Sequence, residues 1–399
     1  MKAGWSFATI GDVCDVVNGG TPKTGVSAYW GGQHQWITPA EMGKRSTPYV
    51  SQTERTITDQ GLQNSSARPL PPLSVILSSR APIGHLVINT KPMATNQGCK
   101  GLVPRKQIDH KFLYYYLGSI VDLLNDLGTG ATFKELSGGK LKEVPIPLPP
   151  LPEQQRIVTL LDEAFDGIAT AKAHAEKNLQ NARAIFVSHL QSVFTDQGTR
   201  WKCIAFEDAV DSVCTLSYGI VQPGEEYAGG LPIVRPTDLG GKTIEIEGLK
   251  RIDPALANSY RRTTLRGGDL LLCVRGTTGQ ISIASKELAG ANVTRGIVPI
   301  FFEPTVVAQE FGYYLMCSGF VQSQIREKTY GTALQQINIG DLRNLKLPIP
   351  PLVEQEALTT RFDELSKETQ RLEAIYRQKL TALDDLKKSL LHRAFNGAL

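Results

Sequence analysis

The sequence predicts an α+β protein in which two similar mixed α/β domains are joined by a long antiparallel two-helix coiled coil, with a pseudo-two-fold internal repeat. Three observations predict this fold. The second half of the chain repeats the first, each half ends in a long stretch of helical periodicity, and each half begins with short β-branched runs bounded by Gly and Pro. A chain of 399 residues is long enough for two or three domains.

The repeat has a period of about half the chain. Residues 148–154 (LPPLPEQ) match residues 349–355 (IPPLVEQ) at an offset of 201. Earlier in each half the offset falls to between 195 and 198, which indicates insertions in loops. The segments matched at these offsets are 37–39 with 234–236, 80–84 with 275–279, 101–104 with 296–299, and 115–117 with 313–315. The repeat divides the chain into a first domain, a helix, a second domain and a second helix, at residues 1–150, 151–197, 198–350 and 351–399.

Both predicted helices carry a seam, meaning a line of apolar or small residues whose steps of four and three are typical of a coiled coil. Each helix has about 40 residues and a length of roughly 60 Å. A seam of this length is longer than a domain of about 150 residues can cover, so we expect the two helices to pair. The alternative is that each helix packs on its own domain. The predicted seam residues are Ile157, Leu161, Ile168, Ala175 and Ile185 in the first helix, and Leu358, Phe362, Leu365, Leu372, Leu383 and Leu390 in the second.

Each globular half is rich in predicted strands. Apolar runs at 74–77 and 86–88, and at 270–274 and 281–283, are bounded by turn residues. Helical runs follow at 112–127 and 308–328. The alternating prolines of residues 144–150 exclude a central strand and predict a stiff extended link into the first helix.

The composition is that of a soluble globular protein, with 41% hydrophobic and 21% charged residues. It contains no run of about 18 apolar residues and no secretory signal, so we expect no membrane partner. None of the six cysteines forms a C-x-x-C pair, and the six histidines show no zinc spacing. We therefore expect reduced thiols, a cytoplasmic location and no metal site.

No motif in the sequence predicts catalytic residues. The Gly-Gly-Lys-Thr at 240–243 lacks the earlier glycine of a phosphate-binding loop, because position 236 is proline. Residues 126–130 resemble the glycine-rich loop of methyl-donor enzymes, but they follow a helical run and are better explained as a helix C-cap. Signatures of amino-methylating enzymes, nucleases and hydrolases are absent.

The net charge of +4 hides an uneven distribution. Residues 1–150 hold 15 basic and 10 acidic residues, and residues 250–300 hold eight basic and three acidic residues, whereas the two helical stretches are close to neutral. Two basic lobes on a neutral spacer are the electrostatic pattern of a protein that contacts DNA twice. The other interpretation of each basic patch is a solvated surface.

These features together resemble the specificity subunit of type I restriction-modification systems over essentially the whole chain. The duplicated junction at 147–154 and 348–355, the C-terminal pattern at 386–397, and the domain opening at 5–22 carry the resemblance, as do residues 79–84 and 96–98. The resemblance implies two target-recognition domains, each reading one half of a bipartite double-stranded DNA site, and two spacer helices that set the gap and dock the methyltransferase subunits.

The resemblance also implies the partners. The chain itself would bind no cofactor and have no catalytic activity. Two modification subunits would bring S-adenosylmethionine and methylate adenine, and two restriction subunits would bring ATP and Mg²⁺ for translocation and cleavage.

Candidate DNA contacts are Arg, Lys, Asn and Gln side chains in loop-like stretches, because these side chains form bidentate contacts with base edges. Each could instead contact a phosphate or be a plain surface residue. The candidates are Lys44, Arg80, Asn96, Gln97, Lys100 and Lys134 in the first half, and Arg235, Arg275, Arg295, Gln335, Gln336 and Asn338 in the second.

Two other functions are compatible with parts of this pattern. One is a non-enzymatic adaptor whose coiled coil joins two protein-binding lobes. The other is a stand-alone enzyme such as a methyltransferase, which would bind S-adenosylmethionine without a partner.

Overall fold

The computed structural model describes residues 4–80, 82–130, 134–196, 200–332 and 334–399. The expected boundary between residues 197 and 198 lies outside the described residues. Two compact units divide the chain: the first contains Met1–Ala175 and Gln378–Leu399, and the second contains Glu176–Arg377. Each unit therefore combines one globular domain with one segment from each of two long helices.

The first unit begins with strands and short helices and then continues into a long helix. Its strands are β1 (Ser6–Thr9), β2 (Cys14–Asn18), β3 (Trp30–Ile37), β4 (Tyr49–Val50), β5 (Arg55–Ile57), β6 (Val75–Ser79), β7 (Ile83–Asn89), β8 (Met93–Thr95), β9 (Cys99–Pro104) and β10 (Pro145–Leu148). Its helices are α1 (Ile10–Val13), α2 (Pro39–Met42), α3 (Asp59–Gln63), α4 (His110–Ser119), α5 (Val121–Leu127), α6 (Gly138–Glu143) and the first part of α7 (Leu151–Asp196).

The second unit repeats this order with fewer strands. Its strands are β11 (Lys202–Ala205), β12 (Leu231–Val234), β13 (Thr243–Ile244), β14 (Arg251–Ile252), β15 (Leu270–Cys273), β16 (Ile281–Ala284), β17 (Asn292–Val293), β18 (Ile297–Ile300) and β19 (Lys346–Ile349). Its helices are α8 (Phe206–Ala209), α9 (Pro254–Ala257), α10 (Gln309–Cys317), α11 (Gly319–Lys328), α12 (Ile339–Arg343) and the first part of α13 (Leu352–Phe395).

The sheets of the two units have the same topology. The first unit has sheets ordered β2-β9-β6-β7-β4, β5-β3-β8 and β1-β10, and the second has β18-β15-β16-β13, β14-β12-β17 and β11-β19. In the described part of the second unit, a single antiparallel bridge from Val210 to Phe302 stands where β2 pairs with β9. The predicted fold of two repeated mixed domains with long helices is confirmed.

Strand pairing corrects one of the repeat alignments. Ser78 pairs with Cys99 in the first unit, and Cys273 pairs with Ile297 in the second. The match of 80–84 with 275–279 makes Ser78 equivalent to Cys273, so their strand partners, residues 99 and 297, are equivalent too. The match of 101–104 with 296–299 was therefore wrong by three residues. Short apolar strands resemble one another at several registers, and only the partner strand fixes the register.

The prolines of the predicted link lie where a strand tolerates them. Strand β10 pairs only with β1, in a two-stranded sheet, so the missing proline N–H groups interrupt no central ladder. The link then enters α7 directly. The helical runs predicted at 112–127 and 308–328 are each broken into two helices, at Ile120 and at Ser318.

The two long helices run antiparallel within each unit. In the first unit the Lys172 ammonium lies 2.7 Å from the Asp384 carboxylate, while the Arg156 guanidinium donates to the carbonyl of Leu399. In the second unit the Arg183 guanidinium lies 3.1 Å from the Glu373 carboxylate, and Phe194 stacks on Phe362. In both units, residue numbers rise along α7 as they fall along the facing part of α13. The prediction that the helices pair is thereby supported over packing of each helix on its own domain alone.

The described seam follows the predicted spacing for most of its length. Four predicted residues of α7 are buried, at Ile157, Leu161, Ile168 and Ala175, as are Leu358 and Phe362 of α13. The remaining predicted residues of α13 are half-buried, at Leu365, Leu372, Leu383 and Leu390.

Ile185 does not belong to the seam, and its prediction was wrong. Its side chain is 45% exposed, and Phe186 packs against the core of the second unit instead. Beyond Ala182 the packed residues follow the steps of a straight helix, at Phe186, Leu190 and Val193, because this end of α7 packs on the globular core as well as on α13.

Duplicated anchors tie each domain to the helix that follows it. The Asp162 carboxylate accepts hydrogen bonds from the Lys111 ammonium (2.6 Å) and the Tyr115 hydroxyl. The Asp363 carboxylate accepts the equivalent bond from the Tyr314 hydroxyl, and its lysine partner is Lys242 (2.5 Å), which lies before β13 rather than on the helix that carries the tyrosine. Tyr115 therefore corresponds to Tyr314, one residue away from the alignment made on sequence.

The far end of each helix enters the other core. Phe395, at the end of α13, packs edge-to-face on Phe112 and Tyr116 in the first unit. Phe194, near the end of α7, packs against Phe311 in the second unit. Residues from both long helices therefore pack into each core. No helix in the described ranges is long and apolar enough to cross a membrane.

Candidate nucleic-acid interface

Three segments of the first unit lie side by side where β3, β6 and β8 end. The N–H of Asn96 donates to the carbonyl of Ile37 (3.0 Å), and the N–H of Ser79 donates to the carbonyl of Gly98 (2.7 Å). These backbone bonds hold Arg80, which follows β6, next to the segment that carries Asn96 and Gln97.

A fourth segment joins them from the chain before α6. The N–H of Leu136 donates to the carbonyl of Ser79 (2.9 Å), and Arg80 forms an antiparallel bridge with Glu135. We call residues 37–38, 79–80, 96–98 and 134–137 the first edge. It contains four of the six predicted residues of the first half, namely Arg80, Asn96, Gln97 and Lys134.

The second unit builds the same frame. The N–H of Thr294 donates to the carbonyl of Val234 (3.0 Å), the N–H of Val274 to Gly296 (2.8 Å), and the N–H of Ile337 to Val274 (3.1 Å). We call residues 234–235, 274–275, 294–296 and 335–338 the second edge. It contains all six predicted residues of the second half, at Arg235, Arg275, Arg295, Gln335, Gln336 and Asn338.

Glycine lies at one equivalent position of each edge, where neighbouring segments approach closely. A Cβ atom on Gly98 would lie 2.9 Å from the Asn96 side-chain oxygen and 3.2 Å from Arg80, and one on Gly296 would lie 2.6 Å from the ring of Pro236. These residues correspond in the corrected alignment, so Gln97 corresponds to Arg295. The Asn-Gln-Gly segment therefore has a structural reason for its glycine, which is the close approach of neighbouring segments.

Lys100 lies beneath the first edge rather than on it. Its side chain is only 7% exposed, and its ammonium lies 3.9 Å from the Glu135 carboxylate. The Arg80 guanidinium lies 3.8 Å from the other oxygen of the same carboxylate. Lys100 is therefore a counter-charge for Glu135 in this structure.

Two predicted residues have ion-pair partners within their own domain. The Arg235 guanidinium donates twice to the Asp238 carboxylate, at 2.8 and 3.2 Å. The Lys44 ammonium, in the loop after α2, lies 3.1 Å from the Glu54 carboxylate. A DNA contact by either side chain would compete with its carboxylate partner.

Three other edge residues use only part of their hydrogen-bonding capacity. The Asn96 side-chain oxygen accepts from the N–H of Gly98 (2.5 Å), the Gln97 side-chain oxygen accepts from the Thr21 hydroxyl, and the Asn338 side-chain oxygen accepts from the Tyr330 hydroxyl (2.6 Å). Each of these bonds orients an amide whose NH₂ group remains a donor.

Sequence reasoning missed Glu135, Tyr218 and Tyr330. The Tyr218 hydroxyl donates to the carbonyl of Ile337 (3.2 Å), which places a second tyrosine at the second edge. Glu135 precedes Leu136 as Gln336 precedes Ile337, so the repeat offset was the available signal. It was overlooked because only Arg, Lys, Asn and Gln were considered as candidates.

The arrangement offers hydrogen-bond donors, acceptors and charge. Among the described residues, no three His, Cys, Asp or Glu side chains are grouped so that they could hold a metal ion. Both edges combine fixed backbone segments with Arg, Asn and Gln side chains, which are the groups that bind base edges and phosphates.

The chain matches the family model for the type I restriction modification DNA specificity domain at residues 2–180 and again at 222–382. It is 28% identical over 370 residues to the type I restriction enzyme MjaIX specificity subunit of Methanocaldococcus jannaschii, which covers 87% of this chain and 83% of that protein.

Two solved structures share the fold. One is a chain of a type I restriction-modification system described for its complex assembly and conformational transition, with a TM-score of 0.78 at 18% identity, covering 100% of this chain and 99% of that one. The other is the HsdS subunit of Thermoanaerobacter tengcongensis, with a TM-score of 0.62 at 17% identity, covering 100% and 98%. The two family matches coincide with the two repeated halves, and the chain belongs to the type I restriction modification DNA specificity family.

Proposed function

We propose that this chain is the DNA-specificity subunit of a type I restriction-modification complex, and that each domain reads one half of a bipartite site in double-stranded DNA. The observation that carries this proposal is the pair of equivalent edges, which present Arg80 with Asn96 and Gln97, and Arg275 with Arg295 and Gln336, on the same backbone frame. The functional division would follow the repeat, with recognition domains at 1–150 and 198–350 and spacer helices at 151–197 and 351–399.

The contacts of each candidate support different roles in this proposal. Arg80, Arg275 and Arg295 would contact base edges or phosphates. The oriented amides of Asn96, Gln97 and Asn338, and the amide of Gln336, would contact base edges. Lys134 and Gln335 precede the bridging residues of the edges and would contact phosphates. Lys44 and Arg235 would contribute less, because each already pairs with a carboxylate.

The paired helices would set the length of the gap between the two half-sites. The ion pairs Lys172–Asp384 and Arg183–Glu373 fix the register of α7 against α13 within each unit. DNA rises about 3.4 Å per base pair, so a helix pair with fixed register would permit few gap lengths.

Two grooves are our candidate docking sites for two modification subunits. A groove of about 600 Å³ lies beside Phe395 and is lined by Phe7, whose side chain is 61% exposed. A groove of about 510 Å³ lies beside Phe194 and is lined by Phe320, whose side chain is 40% exposed. The grooves correspond because Phe194 and Phe395 end the two helices at equivalent positions.

Catalysis would reside in the partners. The modification subunits would supply S-adenosylmethionine and transfer its methyl group to adenine, and two restriction subunits would supply ATP and Mg²⁺ chemistry. We place the complex in the cytoplasm, where the six free cysteines of this chain would stay reduced.

The test is DNA binding by the chain assembled with its modification subunits, measured across a range of salt concentrations. We expect one bipartite sequence to be preferred, with affinity falling steeply as salt rises, because phosphate contacts release counterions. Binding without sequence preference or salt dependence would favour the adaptor function. Binding of S-adenosylmethionine by the chain alone would favour a stand-alone enzyme.

A further inference from the structure

Glu135 is the only carboxylate among the residues that define the two edges. Its side chain is 45% exposed. A carboxylate is repelled by the phosphate backbone, so its presence at a DNA-binding surface requires a compensating donor. The equivalent residue of the second edge is Gln336, which has the same shape and no charge.

Lys100 compensates this charge from below. Its side chain is only 7% exposed and its ammonium lies 3.9 Å from the carboxylate, and an ammonium that is largely enclosed by protein is unfavourable unless it is paired. In the corrected alignment Lys100 corresponds to Val298, which is fully buried. The second edge therefore replaces the pair Lys100 and Glu135 by the neutral pair Val298 and Gln336.

The carboxylate is held near cations but is not saturated by hydrogen bonds. Both ion-pair distances, 3.8 Å to Arg80 and 3.9 Å to Lys100, exceed the length of an N–H···O hydrogen bond. Among the described residues, no donor closer than these approaches the carboxylate oxygens. The exposed oxygens thus keep lone pairs available for a donor from outside the protein.

We propose that Glu135 determines specificity in the first half-site by accepting a hydrogen bond from an exocyclic amino group in the major groove, either N4 of cytosine or N6 of adenine. This inference rests on the proposed function. A glutamate oxygen only accepts, so it favours bases that present an amino group and disfavours those that present a carbonyl oxygen or N7 alone. Gln336 both donates and accepts, so the second domain reads its base by a different rule.

The test compares the wild-type complex with the double variant Lys100→Val, Glu135→Leu, which removes the carboxylate acceptor together with its ammonium partner. The matched control is Gln336→Ala in the second domain. Thermal unfolding of each chain verifies that the variants are folded. The probes are duplexes of the methylated site in which single bases of the first half-site, other than the methylated adenine, lack their amino group: purine replaces adenine, and pyrimidin-2-one replaces cytosine.

For the wild type we expect one such replacement to weaken binding by about 5- to 100-fold, with the purine or the pyrimidinone identifying which base is read. The double variant should lose this penalty at the first half-site and keep its preference at the second half-site. Gln336→Ala should keep the penalty at the first half-site. A double variant that retains the same penalty as the wild type at every position overturns the assignment of Glu135. A wild-type complex without preference at either half-site contradicts the proposed function itself.

Discussion

Gln154 and Gln355, 201 residues apart, make the same three hydrogen bonds in the two units. The Gln154 side chain accepts from the N–H of Asp109 (2.8 Å) and donates to the carbonyls of Gln107 (3.0 Å) and Pro149 (2.8 Å). Gln355 does the same with Ala308 (2.8 Å), Val306 (2.9 Å) and Pro350 (2.8 Å). Both amides are fully buried. Each glutamine thus fastens the start of a long helix to the loop before α4 or α10.

Replacing either buried amide should be costly. We expect Gln154→Leu or Gln355→Leu to lower the free energy of unfolding by about 1–3 kcal/mol for each backbone group left unsatisfied. Urea unfolding of the chain measures this change. The matched control is Gln155→Leu, at an exposed neighbouring position of the same helix. Equal stability of Gln154→Leu and the control would contradict the anchoring role.

Arg80 and Arg275 should act on different halves of the DNA site. We expect Arg80→Ala to weaken contact with the first half-site and Arg275→Ala with the second, each by about 1–3 kcal/mol if the contact is bidentate. Binding to duplexes altered in one half-site measures the effect. Arg371→Ala is the control, because Arg371 is an exposed arginine of α13 that lies outside both edges. Both half-sites methylated at the wild-type rate would remove these arginines from the interface.

Lengthening both helices by one heptad should lengthen the tolerated gap. Seven residues inserted after Ala175 and after Arg377, at the boundaries between the two units, keep the seven-residue seam and leave each unit's own contacts intact. The insertion adds about 10 Å of helix, which corresponds to about three base pairs. Binding to sites with varied gaps measures the shift.

The control for the insertion is the same seven residues in α7 alone, which should disrupt pairing with α13. An unchanged preferred gap in the doubly lengthened chain would mean that the helices do not determine the spacing.

Asp363 should contribute stability that is lost in acid. Burial opposes its charge, but hydrogen bonds from Lys242 and Tyr314 hold the pKa of Asp363 below its usual value of 3.8. Because the folded pKa lies below the unfolded one, the contribution is complete above about pH 4 and disappears as pH falls through the folded pKa. Asp363→Asn should therefore lower stability at neutral pH by no more than about 1 kcal/mol, since the pair is partly exposed.

Unfolding of the wild type and Asp363→Asn by urea at several pH values measures this difference. The two stabilities should converge as pH falls below about 4. A difference that stays constant with pH would show that the carboxylate charge is not responsible.

The sequence was sufficient for the repeat and the helix pair because long apolar periodicity is a property of the chain itself. It was insufficient where a neighbour decides the geometry. The alignment of Gly101 with Gly296 was wrong because strand partners fix the register, and Ile185 was misplaced because α7 leaves the coiled-coil spacing where it meets the second core. Glu135 was overlooked because only Arg, Lys, Asn and Gln side chains were considered as candidates, although the repeat matches it with Gln336.

Exchange of residues 1–150 for the equivalent domain of another family member tests whether each domain reads its own half-site. Methylated adenines are mapped in cells that express the original or the exchanged chain. One half of the bipartite site should change, while the half read by the second domain should stay the same. If both halves of the methylated sequence change together, or if neither half changes, the result would contradict the claim that each domain reads its own half-site.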